Sequence, residues 1–254
     1  MRTLIVAGNW KMNTSLDEAT RLASDVRSKI SAVDNVERIL IPPFPWIIPV
    51  GEVIAGSGIT VGAQNCYSEP SGAFTGEVAA EMLSPHCSHV VVGHSERRHV
   101  FGETDEEVAG KVKAVLRSGA GVILCVGETL AERDSGSAQD VVRVQLSRGL
   151  EGATDDEMDR VVVAYEPVWA IGTGKAASVD DAQEMAHFVR LTIAERFGQT
   201  IANGLRIQYG GSVKSENAHS FMLCPDVDGA LVGGASLDSD EFAAIVNAAA
   251  GESN

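Results

Sequence analysis

The sequence predicts a closed (β/α)8 barrel that forms a single domain over residues 1–254. Short β-rich runs alternate eight times with longer stretches of helical periodicity. The runs are almost continuously apolar, as parallel strands buried on both faces are. No linker rich in proline and serine divides the 254 residues, a length usual for one such barrel. A doubly wound open sheet and a division into two small domains remain alternatives.

The predicted strands are short apolar runs, most of them rich in β-branched residues. They cover residues 4–9, 38–41, 60–63, 89–93, 122–126, 161–165, 206–209 and 230–232.

Capping motifs mark the starts of three of the predicted helices. Ser15 with Glu18 and Thr104 with Glu107 fit the capping box, and Ser178 with Asp181 fits it more weakly. Apolar residues then recur at helical spacing, which gives each helix a stripe to pack on the sheet. These residues are Val108, Val112, Val115 and Leu116 after Thr104, and Ala182, Met185, Val189, Ile193 and Phe197 after Ser178.

The composition excludes some classes of partner. With 35 acidic and 20 basic residues the formal net charge is −15, so a nucleic acid or an anionic membrane would be repelled. An anionic small molecule remains possible, because its binding depends on local donors. The four cysteines are widely spaced, and the chain has no signal peptide or membrane-length apolar run. We therefore expect a soluble cytoplasmic protein whose cysteines are reduced core residues.

The ends of the predicted strands are unusually polar. In a (β/α)8 barrel the active site lies at the C-terminal ends of the strands, so these residues should meet in one pocket. They are Asn9, Trp10 and Lys11; Gln64 and Asn65; His94, Ser95 and Glu96; Glu166; Gly210, Gly211 and Ser212; and Gly233, Gly234 and Ala235.

Each of these residues also has an ordinary structural interpretation. A single lysine is usually a solvated charge, and a single histidine before a helix is usually a cap. Glu166 is different, because it follows five apolar residues and must be desolvated, paired or functional. Glycine pairs form turns, but before a helix they also let backbone N–H groups close on a phosphate. The coincidence of all these groups favours a functional site.

Seven motifs show that the chain resembles the triosephosphate isomerase family along nearly its whole length. They are "AGNWKMN" at 7–13, "AQN" at 63–65, "GAFTGE" at 72–77, "VGHSERR" at 92–98, "AYEPVWAIGTGK" at 164–175, "YGGSV" at 209–213 and "LVGGASL" at 231–237. The resemblance implies interconversion of dihydroxyacetone phosphate and D-glyceraldehyde 3-phosphate in glycolysis and gluconeogenesis, through an enediolate and without cofactor or metal.

The resemblance also implies the role of each catalytic residue. Glu166 is the base, and His94 is a neutral electrophile, for which this family is the standard example. Lys11 supplies positive charge and Asn9 a donor near the substrate oxygens. Glu96 either orients Lys11 or braces the barrel mouth.

A phosphate site follows from the same resemblance, with residues 167–175 as a lid that excludes water and prevents loss of phosphate. The residues implied in substrate and phosphate binding are Asn9, Lys11, Gly172, Gly211, Ser212, Gly233 and Gly234.

The loop of residues 65–75 is long for a connection in a barrel and carries Tyr67 and Phe74. It could pack on itself. The resemblance implies instead a homodimer, in which Thr75 approaches the partner's Asn9 and the partner's Lys11.

Two other functions compete with an isomerase. A Schiff-base aldolase needs a lysine facing the carbonyl, but predicted strand six ends in Glu166. A catalytically silent phosphate-binding module is less compatible with the complete set of Lys11, His94 and Glu166.

Overall fold

Eight parallel strands form a closed barrel in the computed structural model, which describes residues 2–171 and 177–251. The order around the barrel follows the sequence, and Ile5 of the first strand pairs with Gly229 of the last. This confirms the predicted fold class and excludes the open sheet. The strands are β1 (Leu4–Asn9), β2 (Val36–Ile41), β3 (Thr60–Ala63), β4 (His89–Val92), β5 (Gly121–Val126), β6 (Val161–Tyr165), β7 (Arg206–Tyr209) and β8 (Gly229–Val232).

The bounds of four strands match the prediction, and those of the other four differ by one or two residues. β4 ends one residue early because Gly93 has a φ of 70°, which lies outside the β region. β5 and β8 each begin at a glycine, a residue with low strand propensity that the prediction left out. β2 begins at Val36, two residues earlier than predicted.

Helices follow the strands around the outside of the barrel. The described α-helices are α1 (Leu16–Ile30), α2 (Ile47–Ile54), α3 (Ala80–Leu83), α4 (Ser95–Val100), α5 (Asp105–Ser118), α6 (Leu130–Asp134), α7 (Ala138–Gly149), α8 (Val179–Phe197), α9 (Gln199–Gly204), α10 (Ser215–Met222) and α11 (Ser239–Ala250). Short 3-10 helices cover Phe44–Trp46, Asp155–Arg160, Val168–Ala170 and Gly234–Leu237.

All three predicted capping boxes are confirmed. They start α1, α5 and α8, and in each box the first residue's side chain accepts an N–H while the third helical residue's carboxylate accepts one in return. The Ser178–Asp181 box is complete, although aspartate is a weaker match to the motif: Ser178 N donates to Asp181 Oδ2 at 2.9 Å and Asp181 N to Ser178 Oγ at 3.1 Å.

Two apolar layers hold the barrel together. The larger one lies between the strands and the helices and includes the predicted stripes of α5 and α8, of which Phe197 is only half-buried. The smaller one fills the inside of the barrel with Ile5, Ala7, Ile39, Ile41, Val91, Ile123, Cys125, Val162, Ala164 and Leu231.

The four cysteines are buried and form no disulfide, as predicted. Burial raises the pKa of the Cys66 and Cys87 thiols to about 12. Across the two described ranges, we find no helix with the length and apolar character that crossing a membrane requires.

Candidate active site

A cavity of about 660 Å³ opens at the C-terminal ends of β1, β4, β6, β7 and β8. This is the end of the barrel where the polar strand ends were expected to meet. The predicted site residues that line it are Asn9, Lys11, His94, Glu166, Gly211, Ser212, Gly233 and Gly234. Gly172, the remaining predicted phosphate ligand, lies outside the described residues, as do residues 173–175 of the predicted lid.

Glu166 directly follows β6, and its carboxylate is almost completely buried, with 3% of the side chain exposed. Its backbone N–H donates to Val126 O at 2.7 Å, which extends the pairing with β5 by one residue. Oε1 lies 3.0 Å from His94 Nε2, and Oε2 accepts the Ser95 N–H at 2.8 Å. Both carboxylate oxygens are therefore held by residues that follow β4.

Two glycines make room for Glu166. A Cβ atom at Gly127 would lie 1.8 Å from the Glu166 carbonyl oxygen, and one at Gly210 would lie 2.8 Å from its Cγ. Gly210 was expected only as one of a glycine pair that forms a turn or closes on a phosphate, and Gly127 was not among the predicted site residues. Neither role could be predicted from sequence, because it depends on how close β6 lies to the loops after β5 and β7.

His94 caps α4, and its hydrogen bonds define which ring nitrogen carries a proton. Nδ1 accepts the backbone N–H of Glu96 at 3.2 Å. An acceptor nitrogen carries no proton, so the proton of a neutral ring lies on Nε2. Nε2 is the atom that faces Glu166 Oε1.

Lys11 has a positive φ of 52°, which is strained for a residue with a side chain. Three contacts hold it in place. Its N–H donates to Asn9 Oδ1 at 3.0 Å, its carbonyl accepts from Gln64 Nε2 at 2.8 Å, and its Nζ lies 2.5 Å from Glu96 Oε1. Glu96 is thus beside Lys11 and outside the set that lines the cavity. The contribution of Gln64 was missed, because its strand-end position gave no sign of its partner.

The loops after β7 and β8 bring backbone to the opposite wall of the cavity. A Cβ atom at Gly211 would lie 2.1 Å from the Tyr209 hydroxyl, so this position requires glycine. A Cβ atom at Gly233 would lie 3.5 Å from Lys11 Cε, so a bare backbone passes close to the lysine. Backbone amides of this kind suit an anionic group.

Thr75 does not join the cavity of its own chain. It belongs to an exposed stretch, residues 71–77, in the loop after β3. The rings of Tyr67 and Phe74 pack against each other with centroids 4.6 Å apart, so part of this loop is self-packed. Phe74 nevertheless remains 39% exposed.

Comparison with known proteins identifies the family. A family model described as triosephosphate isomerase matches residues 4–249. The triosephosphate isomerase of Chlorobium luteolum is 51% identical over 98% of this chain and 99% of its own length. That of Symbiobacterium thermophilum is 51% identical over 98% of both chains, and that of Chlorobium chlorochromatii is 50% identical over 99% of this chain and all of its own. The chain therefore belongs to the triosephosphate isomerase family.

Proposed function

We propose that the cavity interconverts dihydroxyacetone phosphate and D-glyceraldehyde 3-phosphate, with Glu166 as the base that moves the proton. The observation that carries this proposal is the placement of a buried carboxylate 3.0 Å from an imidazole nitrogen, in the cavity that Lys11 and Asn9 also line. A base, a neutral donor and a cation are the groups that this isomerisation needs.

The reaction moves a carbonyl by one carbon. Glu166 removes a proton from the hydroxyl-bearing carbon next to the carbonyl, which leaves an enediolate. A proton then moves from the hydroxyl oxygen to the former carbonyl oxygen, and Glu166 returns its proton to the former carbonyl carbon. Negative charge develops on the two substrate oxygens. His94 Nε2–H, the Lys11 ammonium and the Asn9 side chain stabilise that charge, because they are fixed in place before the reaction begins.

The contact between His94 and Glu166 suggests how substrate binding frees the base. His94 Nε2 lies 3.0 Å from Glu166 Oε1. A substrate oxygen that accepts the Nε2–H replaces the carboxylate as the neighbour of this nitrogen. Oε1 is then free to turn toward the substrate carbon. The other carboxylate oxygen, Oε2, accepts the Ser95 N–H at 2.8 Å in the structure.

We assign the phosphate to the wall formed by the loops after β7 and β8. Gly211, Ser212, Gly233 and Gly234 line this wall, and Lys11 lies beside it. Gly172 completes the proposed set through the family resemblance alone. A site of backbone amides suits a dianion in a protein with a net charge of −15, because it attracts the phosphate locally where the overall charge repels it.

The aldolase alternative is less compatible with this geometry. A Schiff-base lysine must lose its proton to attack a carbonyl. The Lys11 Nζ is engaged in an ion pair with the Glu96 carboxylate, with 2.5 Å between Nζ and Oε1. Lys11 is therefore suited to stabilising charge.

We further propose that the protein is a homodimer. Large apolar side chains are exposed in the segments that follow four neighbouring strands, β1 to β4, and apolar exposure of this kind favours a partner surface. They are Met12, Phe44, Phe74, Val100 and Phe101. In such a dimer the Thr75 loop approaches the partner's Lys11. Four unpaired cysteines suit a reducing compartment, and we propose the cytoplasm.

The activity is tested by supplying dihydroxyacetone phosphate and trapping the aldehyde product with a dehydrogenase whose cofactor absorbance is followed. The wild-type protein should produce aldehyde at an enzymatic rate, and Glu166→Gln should not. Glu157→Gln is the matched control, since Glu157 lies in the 3-10 helix before β6, at the other end of the barrel. An inactive wild-type protein that still binds inorganic phosphate would favour the silent binding module.

A further inference from the structure

We propose that Asn217 is a positioning residue for phosphate binding, because it fixes the loop that carries Ser212. The inference rests on the proposed function, in which Ser212 contacts the substrate phosphate. Asn217 itself is not among the residues that line the cavity, and it acts through the backbone of its neighbours.

The loop between β7 and α10 leaves the barrel soon after the strand ends. Its last hydrogen bond to a neighbouring strand is from Gly210 N to Tyr165 O at 2.7 Å. Gly210 and Gly211 are glycines, the residue type with the greatest backbone freedom. The Val213 backbone N–H bonds only within the loop, to Gly211 O at 2.9 Å. Further contacts must therefore set the orientation of Ser212.

The Asn217 side chain supplies two such contacts, one on each side of Val213. Its Nδ2 donates to Ser212 O at 3.1 Å, and its Oδ1 accepts Lys214 N–H at 2.8 Å. A carboxamide offers a donor and an acceptor on two separate atoms of one short planar group. An ionised carboxylate has no donor, and a hydroxyl has its donor and acceptor on the same atom. The amide thus holds the backbone of Ser212 and of Lys214 together.

Asn217 can hold the loop because the helix that carries it is itself fixed. It lies in α10, whose first residue, Ser215, donates through its backbone N–H and its hydroxyl to Glu241 at 3.2 and 3.1 Å. Glu241 belongs to α11, the helix that follows Gly233 and Gly234. The two halves of the proposed phosphate wall are therefore tied to each other by a contact between two residues that line the cavity.

Loss of the Asn217 amide should weaken phosphate binding and leave the chemical step unchanged. A loosened loop must be ordered again each time a phosphate binds, which costs affinity. The proposed base directly follows β6 and the proposed electrophile caps α4, and within the described residues the side-chain hydrogen bonds of Asn217 go to Ser212 and Lys214. We expect KM and the inhibition constant of inorganic phosphate to rise together by about three- to tenfold, the effect of one lost hydrogen bond.

Two variants and one control separate this role from helix capping. Asn217→Ala removes both bonds. Asn217→Asp keeps an acceptor for Lys214 N–H, as Asp181 does at the same position of α8, and removes only the donor to Ser212. Glu157→Ala removes a comparable cap, the bond from Thr154 N at 2.9 Å, at the far end of the barrel. All three are compared with wild type for stability, kcat, KM and inhibition by inorganic phosphate.

The proposal predicts that both Asn217 variants lose phosphate affinity and keep kcat within about twofold, while Glu157→Ala changes neither. Because Asp also adds a charge, its measurement is repeated at high salt, which screens Coulomb repulsion and does not restore a missing hydrogen bond. Wild-type phosphate inhibition in Asn217→Ala, or recovery of it in Asn217→Asp at high salt, would overturn the proposal. Absence of isomerase activity in the wild type would overturn the proposed function instead. In that case the affinity of wild type and of the Asn217 variants for inorganic phosphate would still decide the role of Asn217.

Discussion

The environment of Glu166 illustrates how burial prepares a single residue for chemistry. The carboxylate is removed from water, and the groups that replace the water are the Ser95 N–H and the His94 ring. A buried charge without partners would cost several kcal/mol, and the Ser95 hydrogen bond together with the adjacent imidazole offsets that cost in part. Both partners directly follow β4, at the start of α4, so the position of the base depends on the pairing of β4, β5 and β6.

The role of Glu166 predicts a specific kinetic change. Glu166→Gln keeps the size of the side chain and removes its ability to accept a proton, so kcat should fall by about three orders of magnitude or more while KM changes little. The coupled assay measures both constants, and Glu157→Gln should retain wild-type values. Turnover near that of wild type in Glu166→Gln would show that another group is the base.

His94 is expected to be neutral at pH 7, with its proton on Nε2. The reason is the Glu96 N–H, which occupies Nδ1. NMR of protein with ¹⁵N-labelled histidine should show one protonated and one unprotonated ring nitrogen for His94, assigned by comparison with His94→Gln. A signal from a doubly protonated ring at pH 7 would contradict the electrophile role. The substitution itself should slow turnover by tenfold or more, because a preorganised donor is lost.

The sequence pointed more readily to the residues proposed to do the chemistry than to the contacts that hold them. Lys11, His94 and Glu166 were candidates because each is a charged or titratable group at the end of an apolar strand. The contacts of Gln64, Ser95 and Asn217 could not be predicted, because each involves a backbone group whose partner is distant in sequence or defined by loop geometry. Such contacts leave no pattern of periodicity or charge.

At the scale of helices and strands, local capping explains where the long helices begin. The three boxes of α1, α5 and α8 were predictable because both partners are three residues apart. The short helices α3, α4, α6 and α9 were not predicted, since four to six residues are too few to show a period of 3.6. Their positions follow from how the chain crosses the barrel mouth and base.

The capping box of α5 predicts a change of stability with pH. The pKa of Glu107 is lowered, and the largest cause is the hydrogen bond that the Thr104 backbone N–H donates to its carboxylate. Because the folded pKa is below the unfolded one, the stabilisation is present above the unfolded value, about 4.3, and is lost as the pH falls through the folded value.

Glu107→Gln should therefore reduce the free energy of unfolding at pH 7 by less than about 1 kcal/mol, as expected for an exposed cap. The difference from wild type should shrink as the pH falls from 5 to 3. Urea denaturation at several pH values measures it. Glu106→Gln, which removes a charge from the same first turn without a capping bond, is the control, and an equal pH dependence in both variants would contradict the assignment.

The whole molecule is expected to function as a dimer, and Thr75 provides the test. In one chain Thr75 is exposed and lies outside the cavity, so its replacement has no direct route to the chemistry. Thr75→Arg should lower both dimer stability and activity, because it places a bulky cation at the proposed interface near the partner's Lys11. Sedimentation and turnover over a dilution series measure both properties. Ser71→Arg, in the same exposed stretch, is the control, and a fully active monomeric Thr75→Arg protein would show that the dimer does not support the site.

The central claim is that the barrel moves a proton through Glu166, and isomerisation in D₂O tests it most directly. A proton held by a carboxylate exchanges with solvent, so product formed from dihydroxyacetone phosphate should carry deuterium at the carbon next to the aldehyde. ¹H NMR of the product measures that deuterium, and Glu166→Gln should abolish both its incorporation and turnover. Efficient isomerisation with no deuterium at this carbon, or with deuterium incorporated equally well by Glu166→Gln, would contradict the account.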